Sequence, residues 1–276
     1  MNTVKTQSML KDIEAFSTCP ERFRRVWIDE EQKSDSSLAM NKGSFFEYLA
    51  IGAGAIHGED VTDLPRKKIT KVQEKAWLVD HDDLEGLKGE KYADQIRIEA
   101  QAEKFKTLFD PKHKDFLGYK IKSVQVKLES DDGEGTIDFA CKDANGALWI
   151  VDLKLTQDLT NDFGPYQWAD LSRRDFTQQI WYRHLFKEQF GISDVKMAVM
   201  VFDYHAEMRS KWIPLEISDA SEYMVLERFQ QANSVAEKYK ANGYPVNPSK
   251  KECEGCTADC LFRWDFPDID VEEIRI

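Results

Sequence analysis

The chain has 276 residues, 42% hydrophobic and 32% charged, with a formal net charge of −12. No apolar run approaches the roughly 18 residues of a membrane span, and the opening MNTVKTQSMLKDIEAF has no apolar signal core, so a cytoplasmic location and no membrane partner are expected. The acidic balance excludes a broadly basic nucleic-acid coat but leaves room for a locally cationic site.

Residues 8–31 read as a helix, with Phe16, Phe23 and Trp27 near helical spacing and a break expected at Cys19-Pro20. After the polar EQKSDSS, the stretch AMNKGSFFEYLAIGAGAIHG reads as a second helix ending near Gly58. Residues 59–90 alternate charged turns with a short helical piece around KVQEKAWLVD. A long amphipathic helix follows over 90–109, with Ile96, Ala100, Phe105 and Leu108 as its expected inner side. The period then switches to two. YKIKSVQVKLE, GTIDFAC and ALWIVDLKL, separated by the turns DDGEG and DANG, predict a three-stranded antiparallel meander. Helix returns over 175–190, SDVKMAVMVFDY predicts another strand, and 220–241 predicts a last helix. From Pro245 the tail is turn-rich. No glycine-rich strand-to-helix turn marks a dinucleotide fold, so the class is an α/β core behind a helical N-terminal region.

The strand LWIVDLKLT, residues 148–156, carries two charges that a core strand avoids. Leu148, Ile150, Asp152, Lys154 and Thr156 share one face. That face is apolar in its first half and charged in its second, as for a strand running out of the core into a cleft. The preceding strand offers Asp138. A two-residue Asn145-Gly146 turn would put Asp138 opposite Leu153. A three-residue loop, Ala144-Asn145-Gly146 with Gly146 left-handed, puts it opposite Asp152 instead, with the Cβ atoms about 5 Å apart. The three-residue register is expected. Two carboxylates that close repel unless one is protonated or a cation lies between them. Oxygen ligands at this spacing suit Mg²⁺ or Mn²⁺, the Leu153 carbonyl adding a third, and Lys154 beside the metal water makes phosphodiester hydrolysis the expected chemistry.

Taken together, G-x-x-D in GTIDF, D-x-K in VDLKL and Q-x-x-x-Y in QQIWY resemble the PD-(D/E)xK nuclease superfamily, most closely its RecB-like exonuclease branch. The upstream GSFFE, with Gly43 and Glu47, resembles that branch's helical motif, a glutamate standing where many iron–sulfur members carry histidine. The resemblance implies a restriction-endonuclease-like fold, a mixed central sheet flanked by helices. It also implies that Glu47, Asp138 and Asp152 bind metal, that Lys154 assists the water, and that Gln178 and Tyr182 line the site. Tyr166, Trp168, Arg173 and Arg174 lie where they could stack bases and bind phosphate, although loop packing is the more common use of such residues.

Five cysteines occur, and Cys253, Cys256 and Cys260 in CEGCTADC are spaced too compactly to be casual. Thiolates so grouped hold a metal, and Cys19 is the better fourth ligand, because Cys141 follows a core strand and reads as a small buried hydrophobe. The same nuclease branch, which includes CRISPR-associated adaptation nucleases and the nuclease domains of recombination helicase–nucleases, is similar in having one early cysteine and three late ones around a [4Fe–4S] cluster. That cluster is the expected cofactor. The short last gap leaves structural Zn²⁺ as the alternative.

The expected organisation is a single domain over 1–276: a mainly helical part to 115, a catalytic α/β core over 116–215, and a helix with the cysteine tail over 216–276. The expected function is a metal-dependent DNA exonuclease acting on single strands or ends, with a helicase or a recombination or integration protein as a further partner. The alternative is a non-catalytic DNA-binding or assembly module. A site-specific endonuclease is disfavoured because no separate recognition domain is evident.

Overall fold

Alternation of apolar and polar residues from Lys120 onward produces the sheet that carries Asp138, Asp152 and Lys154. The coordinates are a computed structural model and describe residues 3–14, 19–30, 38–52, 90–161 and 168–245. Within them the helices are α1 (Gln7–Glu14), α2 (Pro20–Phe23, continuing as a π turn over Arg24–Ile28) and α3 (Leu38–Glu47, continuing as a π turn over Tyr48–Gly52). Then come α4 (Glu90–Phe109), α5 (Thr177–Phe190) and α6 (Asp219–Ala241), with strands β1 (Lys120–Glu129), β2 (Glu134–Lys142), β3 (Leu148–Thr156), β4 (Val195–Asp203) and β5 (Ser210–Leu215). The end of the second expected helix and the piece around KVQEKAWLVD lie outside the described residues.

The five strands form one mixed sheet in the order β1-β2-β3-β4-β5. β1 to β3 are the expected antiparallel meander. β4 runs parallel to β3, and β5 returns antiparallel along the edge. Parallel pairing of β3 and β4 requires a crossover, and α5 supplies it. That helix stops at Gly191, left-handed at φ 65°, whose N–H donates to the Lys187 carbonyl as a terminal cap. β5 is not evident in the sequence because Pro214 interrupts it. An edge strand tolerates a proline, since one side of it needs no donor.

The chain falls into two compact units, Ser36–Val225 and the pair of end segments Met1–Asp35 and Leu226–Ile276. In the larger unit one core cluster joins Phe46 of α3 and Phe105 of α4 to Phe139, Val151 and Phe202 of the sheet. Phe46 and Phe202 pack with ring centroids 5.1 Å apart, and Phe105 and Phe139 at 5.6 Å. The buried stripe of α4 is Ile98, Gln101, Ala102, Phe105 and Phe109. Of the expected inner side, Phe105 is buried and Leu108 packs against the core, while the other two residues are corrected. Ile96, at 49% exposure, and Ala100 face outward beside Glu99 and Glu103. In the smaller unit the two chain ends meet. Val4 N donates to Asn233 Oδ1 at 2.8 Å, Arg228 grips Glu14 through two hydrogen bonds, and Phe23 packs on Tyr239.

Candidate active site

The β2–β3 hairpin sets the geometry. Asp143 N donates to the Ala147 carbonyl at 3.1 Å and Gly146 N to the Asp143 carbonyl at 3.0 Å. The Asp143 carboxylate receives the N–H groups of Asn145 and Ala147. Gly146 is left-handed at φ 82°, where a side chain would be strained. This is the three-residue loop. The register it imposes runs from Lys142↔Leu148 to Phe139↔Val151, and its next step sets Asp138 opposite Asp152. Leu153, whose carbonyl is the expected third ligand, gives its N–H to the Asp138 carboxylate at 2.6 Å.

Asp152 is 2% exposed. Lys154 Nζ donates to one of its carboxylate oxygens at 2.8 Å and Gln179 Nε2 to the other at 2.8 Å. The sequence therefore pointed one residue away from the glutamine that touches the acid. Gln178 instead donates to Tyr182 Oη at 2.8 Å, one helical turn along the same face of α5. Tyr182 has its own reason to be here. A Cβ on Gly135 would lie 2.5 Å from Tyr182 Cε1, so only glycine lets the ring lie against β2. The glycine of G-x-x-D is thereby explained by contact. At Gly43 an added Cβ would meet nothing within 4 Å, so no such contact requires that glycine.

Glu47 is the last residue of α3, where the helix widens into its π turn. It receives Nε2 of Gln125, a buried β1 residue, and its charge acts on the Asp138 carboxyl. Gln125 was missed by sequence reading. It stands mid-strand with φ 50°, a conformation no propensity rule assigns to glutamine.

Electrostatics bind these groups into one cluster. Burial pushes the Asp138 carboxyl well above the usual carboxylate range, and the charges of Glu47 and Asp152 push the same way. Glu47 is raised by burial, then eased by Gln125 and Lys154. Burial works against the Lys154 ammonium, but the charges of Asp152 and Asp138 outweigh it and hold the group above the ordinary lysine range. Burial lifts the Tyr182 phenol to about 12. Three carboxylates thus converge on one ammonium, and their mutual repulsion is what a divalent cation would relieve. The donor set is all oxygen, which suits Mg²⁺ or Mn²⁺ in chemistry. As the side chains stand, protein hydrogen-bond partners engage each acid. Among the described residues no group of three His, Cys, Asp or Glu side chains is arranged to hold a metal.

Other expected residues fall elsewhere. Trp168 is 3% exposed, within an apolar cluster with Leu159, Val199 and Val201, and the Arg174 guanidinium lies 3.9 Å above its ring. A ring so covered cannot stack a base; loop packing is its role. Arg173 pairs with Asp170 at 3.3 Å, and Tyr166 lies outside the described residues. Arg22, Arg24 and Arg25 pair with Asp12, Asp29 and Glu21. Cys141 is fully buried, its thiol pushed up by burial, as a core residue. Cys19 is buried in the smaller unit, whereas Cys253, Cys256 and Cys260 lie outside the described residues. No described helix is long and apolar enough to cross a membrane.

With this geometry in view, the chain was compared with known proteins. No curated protein matches it in sequence. Among solved structures it superposes on a "putative exonuclease" from Eubacterium rectale with a TM-score of 0.55 and 13% identity, over 89% of this chain and 84% of that one. At that identity the likeness shows a shared fold. A second structure, SSO0001, aligns with a TM-score of 0.32 and 12% identity, over 82% of this chain and 74% of that one. The sequence profile of one protein family, however, matches residues 10–261, nearly the whole chain. The mixed five-stranded sheet with its flanking helices is a restriction-endonuclease-like α/β fold, and the chain belongs to the PD-(D/E)XK nuclease superfamily.

Proposed function

We propose that this nuclease is a metal-dependent DNA exonuclease of the RecB-like branch. The observation that carries the reading is the convergence of Glu47, Asp138 and Asp152, from three separate elements, on Lys154. Glu47, Asp138, Asp152 and the Leu153 carbonyl would hold Mg²⁺ or Mn²⁺, which when bound supplies Lewis-acid charge to the phosphate and a more acidic water. The remaining work belongs to the chain. Lys154, an ammonium with three donors and no acceptor, orients the attacking water and offsets charge growing on the phosphate oxygens rather than taking a proton. Gln179 fixes the Asp152 carboxylate that Lys154 leans on. Tyr182 and Gln178, tied to each other, form the wall of the site next to Gly135.

The cysteines belong to the same reading. Cys19, Cys253, Cys256 and Cys260 would hold a [4Fe–4S] cluster, with Zn²⁺ as the alternative, supported by their compact spacing and by the burial of Cys19. Iron and sulfide in anaerobically purified protein support the cluster; zinc alone replaces it.

The test is degradation of end-labelled linear and closed circular DNA, single- and double-stranded, by anaerobically prepared protein with Mg²⁺ or Mn²⁺. Linear DNA should be consumed from its ends and circles spared, with Asp152→Asn at least about a hundredfold slower. Cleavage of circles would make the protein an endonuclease. Binding without cleavage would favour a non-catalytic module.

A further inference from the structure

Gln125 is the residue of this site that backbone chemistry explains least. It lies in the interior of β1, between the paired residues Val124↔Phe139 and Val126↔Ile137, which sets it across from Asp138. Its φ is 50°, in the left-handed region that glycine or asparagine adopts with least strain. A strand interior normally excludes that conformation, and a glutamine held there persists only when its surroundings over-determine it. The side chain is buried at 7% exposure and donates Nε2 to the Glu47 carboxylate, 78 residues earlier in the chain.

We infer that Gln125 is a positioning residue, whose strained backbone aims a neutral amide at Glu47 and fixes that carboxylate towards Asp138 and Asp152. The inference rests on reading Glu47 as a cation ligand. Amide chemistry suits the task. A lysine or arginine at this position would hold Glu47 as firmly but would cancel the negative potential that draws a divalent ion. An amide holds the carboxylate and leaves its charge intact. Gln179 makes the corresponding contact to Asp152 from α5, so two of the three acids are each held by a side-chain amide from a different element. Asparagine would relax the backbone, but it is one methylene shorter, and the reach to α3 would be lost.

The experiment uses full-length, anaerobically prepared protein and reads Mn²⁺ affinity by electron paramagnetic resonance, beside thermal melting and kcat. Gln125→Gly removes the amide while relieving the left-handed strain. It should weaken Mn²⁺ binding and lower kcat by roughly ten- to a hundredfold, with KM for DNA unchanged and the melting temperature not lowered. In a Glu47→Ala background the same substitution should have no further effect on Mn²⁺ affinity. If Glu47→Ala weakens Mn²⁺ binding but Gln125→Gly does not, or acts only by lowering the melting temperature, the positioning role is overturned and the metal reading stands. If wild-type protein binds no Mn²⁺, or Glu47→Ala leaves its affinity intact, the ligand role of Glu47 fails and this inference fails with it.

Discussion

Two buried aspartates stand on adjacent parallel strands, and their surroundings differ in kind. Asp203, at the end of β4, is fully buried and accepts from Leu159 N at 3.2 Å, Arg209 N at 2.7 Å and Arg209 Nε at 2.9 Å. Main-chain donors surround it together with a guanidinium that it shares with the more exposed Asp158 and Glu207. It closes the β4–β5 turn, where its own N–H also donates to the Arg209 carbonyl. Around Asp152 and Asp138 the balance is reversed, with three carboxylates against one ammonium. A buried acid surrounded by donors holds a fold together. A buried acid pressed against other acids has been placed there at a cost to stability, and that cost points to function.

Substituting the two aspartates is the sharpest way to break the comparison. Asp152→Asn should abolish most nuclease activity and barely move the melting temperature. Asp203→Ala should do the opposite. It leaves the N–H groups of Leu159 and Arg209 without their acceptor, while the guanidinium keeps Asp158, costing about 3 kcal/mol, on the order of 10 °C in melting temperature. Equal stability losses in both variants would erase the distinction. A smaller effect is expected where the cluster meets α5. Gly135→Ala drives a methyl into Tyr182, 2.5 Å from Cε1, and should cost about 1–3 kcal/mol by overpacking. In a Tyr182→Ala background, Gly135→Ala should cost no further stability; an undiminished further loss there would mean that the contact is not the cause.

The smallest effect is a gain. Asp138 is harder to ionise in the folded chain than in the unfolded one, because burial and neighbouring acids oppose its charge. Its ionisation therefore works against folding, and the stability it permits is fully present only at low pH. Asp138→Asn keeps an acceptor for Leu153 N and removes the charge. It should stabilise the protein by about 1 kcal/mol near pH 8, a gain that vanishes below pH ~4, where the unfolded carboxyl is also protonated. Melting curves across that range decide it; destabilisation at pH 8 would show that the Asp138 charge is compensated.

How much of this was legible in the sequence depended on distance along the chain. Gly146 and the Asp143 side chain act within a few residues, so the loop type, the register and the pairing of Asp138 with Asp152 could be read from DANG alone. Gln178 and Tyr182, one helical turn apart, were likewise legible as a pair. Pro214 hid β5, because an edge strand obeys weaker rules than a central one. The inner face of α4 was misjudged because apolar residues occur on more than one side of it, and only packing against Phe139 and Phe202 selects between them.

By itself, then, the sequence determined the meander, the β2–β3 register and the presence of Asp138, Asp152 and Lys154 on neighbouring strands. Those features follow from turn chemistry and from a side-chain period of two. Only the tertiary structure decided that Gln179 rather than Gln178 meets Asp152, and that Gln125 meets Glu47. The partners are 27 and 78 residues apart, and no local periodicity reaches that far. Which amide faces which acid is settled when α3 and α5 pack against the sheet.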